Sequence, residues 1–407
     1  MKILHTSDWH LGRTLYTRKE RSEEHRAFLE WLLKTIRENA VEVLVVAGDI
    51  FDSGAPSGSA QKMYYDFLLN VRESGCRHVI IVGGNHDSPG LLNAPKEILS
   101  ALNVLVVGKA SENPEEEVFV LRDENENPMA VIGAVPYLRE RDLNRYTEGE
   151  SYAGRSKRMA ENIRKHYAAV AAIAEQKRDE SENKIPIIAT GHLSIAGGAR
   201  SEDDGVRDIY IGAIECLGSD IFPSVFDYVA LGHFHIASAI NGNENIRYSG
   251  SPIPMGFGEA KQIKNVIVAD FEKNEIQKIE IPVFQKLESV KGDKNFIAKR
   301  LSELKESGES VWIEVIYDGH ELFSNLSPWV SEQLNDSNIE VLKIQNKEYL
   351  DRVLTKEHTE KSLEELNELE VFKKLLEDKD FPDEQMQELE ILYREILSEI
   401  HDTGEKE

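Results

Sequence analysis

Five short motifs, far apart along the chain, carry side chains that suit metal ions. They are Asp8-Trp9-His10, Gly48-Asp49, Gly84-Asn85-His86-Asp87, Gly191-His192 and Gly232-His233-Phe234-His235. Carboxylate, imidazole and amide ligands together suit Mn²⁺, Fe²⁺ or Zn²⁺. Two such ions roughly 3.5–4 Å apart activate a water and stabilise the attacking and leaving oxygens of a phosphoryl displacement. The motifs therefore predict a two-metal phosphoesterase whose ligands are Asp8, His10, Asp49, Asn85, His192, His233 and His235.

The motifs follow short apolar runs that are typical of buried strands. The predicted strands are residues 3–6, 43–47, 78–82, 129–135, 185–190 and 226–231, and the predicted helices among them are residues 23–39, 60–74 and 159–176. Alternation of strands and helices predicts parallel sheets with crossover helices, which place ligand sites just past the strand ends. An extended backbone would also put Asp8 with His10, and His233 with His235, on one face.

His86 remains beside the site once the seven ligands are assigned. A histidine there can donate a proton to a leaving oxygen. Either Asp52 or Asp87 could fix its tautomer by accepting a hydrogen bond from the other ring nitrogen. We expect the glycines at 83 and 84 to permit a backbone turn that Cβ atoms would resist. The remaining histidines are predicted to be surface or packing residues, and they are His5, His25, His78, His166, His320, His358 and His401.

Composition indicates a globular chain of more than one domain. The chain has 407 residues, 41% of them hydrophobic, and lacks both an apolar run long enough to span a bilayer and an N-terminal signal segment. Its two cysteines are far apart, which favours reduced thiols and a cytoplasmic location. Further strands are predicted at 246–248 and 265–271. The pattern changes after Pro282, so we expect domains at residues 1–282, 283–350 (helices 296–305 and 328–334, strands 311–317 and 339–344) and 351–407, the last with two helices.

The motifs resemble those of the calcineurin-type metallophosphoesterase superfamily. The stretches His5–Gly12, Val46–Asp52 and Ser249–Pro254 resemble, more narrowly, the bacterial SbcD nuclease subunits, over the whole chain. The resemblance implies an α/β fold, a four-layer α-β-β-α sandwich with a small α+β capping domain and C-terminal helices. It also implies a homodimer that joins an SbcC-type ATPase in a heterotetramer, and manganese-dependent cutting of DNA from ends, in single strands and at hairpins.

The same resemblance assigns a role to each site residue. It implies that Asp8, His10, Asp49 and His235 hold one Mn²⁺, and that Asp49, Asn85, His192 and His233 hold the other, with Mg²⁺ or other divalent ions as alternatives. Asp49 would bridge the pair. His86 would assist the leaving group, with Asp52 rather than Asp87 as its orienting partner.

The net charge of −25 argues against DNA binding over the whole surface. Residues 351–407 contain 19 acidic and 8 basic side chains, whereas residues 137–165 contain 8 basic and 5 acidic ones. We therefore expect local contacts to phosphate from Arg13, Arg155, Lys157 and Arg158, although the basic stretch could equally be a solvated face. The tyrosines in that stretch could stack on bases or simply pack.

Two questions stay open from the sequence. The C-terminal helices could dock on the ATPase partner or pack on their own domain. A phosphoesterase for cyclic nucleotides or phosphoproteins would use the same metal ligands. A non-catalytic scaffold is disfavoured because all seven ligands and His86 are present.

Overall fold

The structure is a computed structural model that describes residues 1–16, 19–143, 152–181, 184–199, 217–319, 323 and 325–346. The strands and helices of these residues, in chain order, are β1 (Lys2–Thr6), β2 (Thr14–Leu15), β3 (Lys19–Glu20), α1 (Ser22–Glu38), β4 (Val43–Ala47), α2 (Gly58–Val71), β5 (His78–Val82), α3 (Pro89–Asn93), α4 (Lys96–Ser100), β6 (Val104–Val107), β7 (Val118–Arg122), β8 (Pro128–Gly133), α5 (Glu140–Leu143), α6 (Tyr152–Asp179), β9 (Ile187–His192), β10 (Tyr228–Gly232), β11 (Ser238–Ile240), β12 (Asn243–Tyr248), β13 (Asn265–Asp270), β14 (Glu275–Glu280), β15 (Lys286–Gly292), α7 (Lys294–Ser307), β16 (Val311–Tyr317), α8 (Leu326–Gln333) and β17 (Ile339–Asn346).

Two six-stranded sheets dominate the part of the chain before Pro282. The first has the order β14-β13-β1-β4-β5-β6, with β1, β4, β5 and β6 parallel and β13 and β14 antiparallel. The second has the order β11-β12-β10-β9-β8-β7, with parallel strands inside and antiparallel strands at both edges. The inner strands are continuous apolar runs because both of their faces are covered.

The sheets pack face to face and helices cover their outer faces. Ile3, Val45 and Ile132 belong to the core between the sheets. Phe28 of α1 and Phe67 of α2 pack in the core on the outer face of the first sheet. Helix α6 covers the second sheet through residues that include Ile163, Tyr167 and Val170. The predicted four-layer α-β-β-α sandwich is confirmed.

A smaller α+β part follows Pro282. Strands β15, β16 and β17 form a three-stranded sheet, and helices α7 and α8 accompany it. Asp293 caps α7 at its start, and Gly308 ends it in the left-handed region at φ 68°. Strand β15 was absent from the sequence prediction. Leu287, Trp312 and Leu342 of this sheet share an apolar cluster with Leu15 and Phe257.

Backbone proximity groups Met1–Ile316 with Asn325–Gln345 into one compact unit. The second unit comprises Tyr317–Ser324 and Asn346–Glu407, and residues 347–407 lie outside the described residues. The division at residues 282 and 350 stays a prediction, as do the two C-terminal helices. None of the described helices is both long enough and apolar enough to cross a membrane.

Candidate metal centre

The strand ends of the two sheets carry the seven predicted ligands to one place. The neighbouring strands β1, β4 and β5 precede Asp8 with His10, Asp49 and Asn85, respectively. In the second sheet, β9 ends at His192, and the adjacent β10 precedes His233 and His235. The expectation that the motifs lie at strand ends is confirmed.

Main-chain hydrogen bonds tie these strand ends together. The Asp8 N–H donates to the Gly48 carbonyl at 2.9 Å, and the His10 N–H donates to the Asp49 carbonyl at 3.0 Å. Two further bonds cross between the sheets. The His233 N–H donates to the Asp8 carboxylate at 3.0 Å, and His192 Nδ1 donates to the Ala47 carbonyl at 2.9 Å. The ligand loops are therefore fixed by the backbone as well as by their side chains.

The backbone at four ligands is left-handed. The φ angles are 54° at Asp8, 47° at His10, 50° at Asp49 and 104° at His233. Left-handed backbone is uncommon in residues other than glycine, and it persists where the surroundings determine it. The expectation that an extended backbone aligns Asp8 with His10, and His233 with His235, is therefore wrong: the strands end first, and loops aim these side chains.

Glycines before the ligands are required by close approach. A Cβ on Gly84 would lie 2.1 Å from Asp49 Oδ1, and one on Gly232 would lie 1.9 Å from the Ala47 carbonyl oxygen. A Cβ atom is thus resisted at Gly84, as expected, and the group that resists it is the Asp49 carboxylate.

The first predicted ligand set forms a tight, buried cluster. Asp8, His10 and His235 each offer a ligand atom within 4.8 Å of the other two. Asp49 Oδ2 lies 3.7 Å from His10 Nε2. The His10 Nε2 atom is buried and makes no hydrogen bond to any residue that the structure describes. An orphaned imidazole nitrogen facing carboxylates fits a site for a divalent cation.

The second set meets the first at Asp49. Its Oδ2 lies 3.3 Å from His192 Nε2, which is also 2.9 Å from Asn85 Oδ1. The ring of His233 lies 5.4 Å from the ring of His192, measured between centroids. Asp49 thus contacts members of both sets, as a bridging carboxylate must.

The electrostatics of the cluster favour bound positive charge. Burial lowers the pKa of His192, but the carboxylates of Asp49 and Asp8 outweigh burial and raise it to about 9. Burial raises the pKa of Asp49, but His192 and His10 outweigh burial and bring it below its usual range. Burial also keeps the pKa of Asp8 above its usual range. The clustered N/O donor atoms, with the buried His10 Nε2 left without a hydrogen bond among the described residues, fit divalent metal ions.

His86 is held at the rim of the cluster by main-chain groups. Its N–H donates to Asp49 Oδ1 at 2.9 Å, and its Nδ1 donates to the Asp52 main-chain carbonyl at 2.8 Å. The Asp52 carboxylate lies instead 3.2 Å from His10 Nδ1 and accepts from Arg13 at 2.9 Å. Asp52 therefore contacts His86 as predicted, but through its carbonyl.

The Asp87 carboxylate joins two of the ligand loops. Its carboxylate accepts from the N–H groups of Ile50, Phe51 and Gly84 at 2.9–3.1 Å. Burial and the Asp49 charge raise its pKa to about 6. Asp87 thus connects the loop after β4 to the loop after β5.

The predicted DNA contacts lie in two places, the loop before β2 and helix α6. Arg13 lies beside the site, paired with Asp52. Arg155, Lys157 and Arg158 lie in α6, where Lys157 is exposed and Arg158 is half-buried. The side chain of Arg155 is outside the described residues.

Sequence reasoning missed several residues that contact the site. Arg139 donates to the Asp87 carbonyl at 2.8 Å, and Glu259 and Lys264 contact His235. No sequence signal marked the last two, because folding brings them to His235. Of the non-ligand histidines, His5, His25, His78 and His166 are buried, which confirms packing roles, whereas His320, His358 and His401 lie outside the described residues.

Comparison with known proteins identifies the family. Residues 1–237 match the calcineurin-like phosphoesterase family, and residues 283–380 match the type 5 capsule protein repressor C-terminal domain. The SbcD subunit of the nuclease SbcCD from Escherichia coli K12 is 35% identical over 413 aligned residues, which cover both chains completely. The corresponding proteins from Rhodobacter capsulatus and Bacillus subtilis are 36% and 30% identical, over 66% of both chains and over 68% of this chain and 67% of the relative.

Among solved structures, a dimetal phosphatase from Danio rerio aligns with 69% of this chain and 99% of its own, at 12% identity and a TM-score of 0.40. The family assignment rests on the sequence matches alone. The chain belongs to the calcineurin-like phosphoesterase family, among its SbcD nuclease subunits, and is a metal-dependent phosphodiesterase.

Proposed function

We propose that this chain is a manganese-dependent DNA nuclease subunit that hydrolyses phosphodiesters with two metal ions. It acts as an exonuclease on double-stranded ends and as an endonuclease on single strands and hairpins. The observation that carries the proposal is that the seven predicted ligands, Asp49 among them, converge from five strand ends, with His86 at the rim.

The proposed chemistry divides between the ions and the side chains. When bound, the two divalent ions supply an activated water and stabilise the charge of the attacked phosphate. Asp49 holds the two ligand sets in position relative to each other, because it contacts members of both. His86 donates a proton to the leaving oxygen from Nε2, since its Nδ1 is engaged by the Asp52 carbonyl.

The proposed assembly follows the names of the relatives. Each of them is named as the SbcD component of the nuclease SbcCD, so we infer an SbcC-type ATPase as the partner, bound through residues 351–407. In this assembly the chain is a homodimer within a heterotetramer, works in DNA repair and recombination, and is cytoplasmic. Residues 283–350 act as a cap over DNA, which Arg13, Arg155, Lys157 and Arg158 contact through phosphate.

A nuclease assay with matched substrates tests the proposal. Blunt duplex, hairpin and single-stranded oligonucleotides are each incubated with Mn²⁺, Mg²⁺ or Zn²⁺, with and without the ATPase. We expect cutting with Mn²⁺, and no cutting by the Asp49→Asn variant under any condition. Calorimetry should find two Mn²⁺ per wild-type chain. The same titration of Asp49→Asn shows whether that variant fails to cut because it has lost metal or because it has lost the chemistry.

Two other functions make different predictions in the same assay. A phosphoesterase for small substrates would turn over a cyclic dinucleotide and leave the hairpin intact. A scaffold without catalysis would bind metal and cut neither substrate. The α+β part after Pro282 favours the nuclease, because small substrates do not require a second domain.

A further inference from the structure

A buried acid and a buried lysine lie directly behind His235. Glu259 is fully buried, and Lys264 is 6% exposed. Glu259 Oε1 lies 3.1 Å from His235 Nδ1, and Lys264 Nζ donates to Glu259 Oε2 at 2.5 Å. The two charged residues therefore form a pair that contacts the ring of a predicted metal ligand.

The pair also holds the backbone around the ligand. Lys264 Nζ donates to the His235 carbonyl at 3.0 Å and to Ser251 Oγ at 3.0 Å. The Met255 N–H donates to Glu259 Oε2 at 2.9 Å. The ring and the main chain of His235 are thus fixed by one network that contains an ionised pair.

The hydrogen bonds show which group carries the proton. Glu259 Oε2 accepts from Lys264 Nζ and from the Met255 N–H, as a carboxylate paired with an ammonium group does. An ionised carboxylate only accepts hydrogen bonds, so the proton in the contact belongs to His235 Nδ1. Nε2 of the neutral ring is then left with its lone pair, which is the form a metal requires.

We propose that Glu259 and Lys264 are positioning residues, which hold His235 as the Nδ1–H tautomer and present Nε2 to the cation bound with Asp8 and His10. This inference rests on the proposed ligand set. The burial of the pair supports this inference. A buried ion pair adds little net stability to the fold, so a role in positioning His235 accounts for the pair better than a role in stability. A carboxylate behind a ligating imidazole typically changes metal affinity by about 10–100-fold.

Paired variants separate positioning from folding. In Glu259→Met/Lys264→Met both charges are replaced by apolar side chains of similar volume, so no charge is left buried alone. In Glu259→Gln/Lys264→Met an acceptor oxygen remains for Nδ1. The matched control is Glu117→Met/His166→Leu, which removes another buried acid–histidine contact, of 2.8 Å, away from the ligands.

Calorimetric titration of the full chain with Mn²⁺ is the test, with thermal unfolding of the metal-free chain measured in parallel. We expect the double-methionine variant to lose about 10–100-fold in affinity at one of two sites. The variant with glutamine should recover most of that loss, and the Glu117 control should bind both ions as the wild type does. Wild-type affinity in a folded double-methionine variant would overturn the inference. A wild-type chain that binds no Mn²⁺ would instead refute the ligand set.

A second measurement needs no variant of the pair. Nitrogen NMR of the histidine-labelled, metal-free wild type, at a pH where the ring is neutral, reports the tautomer of His235, assigned by its absence in His235→Gln. We expect a proton fixed on Nδ1 before metal is added. A proton on Nε2, or an averaged ring, would overturn the inference even if the variants fail to fold.

Discussion

His86 and Asp52 act on different parts of the candidate site. The Asp52 carbonyl accepts from His86 Nδ1, whereas the Asp52 carboxylate faces His10 and Arg13. A carbonyl has no proton to give, so His86 keeps a proton on Nδ1 and can donate from Nε2 only as the imidazolium. The proposed acid role therefore depends on the His86 ring, whereas the Asp52 carboxylate contacts His10, a predicted metal ligand.

The His86→Ala substitution tests this separation. We expect strand cutting to fall by about 10²–10⁴-fold, the usual contribution of a positioned acid, because no other described imidazole occupies that place. Mn²⁺ binding, measured by calorimetry, should keep its stoichiometry of two.

Asp52→Ala is the contrasting variant. It leaves the main-chain carbonyl to His86 and removes the carboxylate beside His10, so its main effect should be on Mn²⁺ affinity. Unchanged cutting by His86→Ala would return that histidine to a packing role. A pure rate effect in Asp52→Ala, with metal affinity intact, would contradict the assignment of its carboxylate.

The strands that precede the ligand loops could be predicted from the sequence, whereas the backbone of the loops could not. Apolar runs such as residues 43–47 predict these strands, and the order of motifs predicts that their ends converge. The left-handed backbone at Asp8 and His233 was not predictable, because tertiary contacts impose it. Glu259 was missed for a related reason: its partners His235 and Lys264 are brought to it by folding.

Replacing Gly84 with alanine should disrupt the site through sterics alone. The new Cβ would meet Asp49 Oδ1 at 2.1 Å, so either the carboxylate or the loop must move. We expect at least a ~10²-fold loss of cutting, since displacements of about 1 Å have that effect, together with weaker Mn²⁺ binding.

Gly58→Ala is the control for that variant. Gly58 starts α2, and a Cβ there meets nothing within 4 Å. Its stability, followed by thermal unfolding, should be equal to or above that of the wild type. Equal activity of Gly84→Ala and Gly58→Ala would show that the loop adapts.

His5 joins the two sheets and makes folding sensitive to acid. Tyr228 and the Leu231 carbonyl contact its ring nitrogens at 3.0 and 3.1 Å, and burial with the Arg247 charge lowers its pKa from 6.5 to about 3. The unfolded chain therefore takes up this proton first as pH falls. The contribution of neutral His5 to the free energy of unfolding is therefore complete above pH 6.5 and is lost progressively as the pH falls toward 3.

Denaturant unfolding of the metal-free chain between pH 7.5 and 4, in the presence of a chelator, tests this pH dependence of stability. His5→Gln should be less stable at pH 7.5, because its contacts to the second sheet are weakened. Its stability should also fall less steeply with acid, by up to about 1.4 kcal/mol per pH unit. Parallel curves for variant and wild type would mean that His5 is not the residue responsible.

The whole molecule is acidic, so any DNA contact must be local. Lys157 is exposed on α6, whereas the net charge of the chain is −25. Replacing Arg155, Lys157 and Arg158 with alanine should make the dependence of log affinity on log salt shallower by about 1 to 3, at roughly 0.9 per lost phosphate contact. Fluorescence anisotropy with a labelled duplex gives the slope.

The control for the α6 variant removes the same charge elsewhere. Lys34 and Lys62 are exposed on α1 and α2, and Lys273 is exposed in the turn between β13 and β14. Their replacement with alanine should leave the slope unchanged. A slope that is unchanged in the α6 variant as well would remove this helix from the DNA interface. Equal shifts in both variants would show that net charge alone governs binding.

The C-terminal 57 residues offer the remaining test of the assembly. Met386, Leu389, Tyr393 and Ile396 recur at helical spacing in a segment that is otherwise strongly acidic. If this apolar stripe docks on the ATPase, Leu389→Asp/Ile396→Asp should abolish co-purification with it, because two charges would enter an apolar interface.

The matched control, Gln387→Asp/Ser398→Asp, adds the same charge at polar positions and should keep the partner. Both variants should retain Mn²⁺-dependent hydrolysis of a small phosphodiester, since the metal ligands all precede Ile236. Retention of the ATPase by the Leu389 and Ile396 variant would favour the alternative that this stripe packs on its own domain. In that case its thermal stability should fall below that of the control.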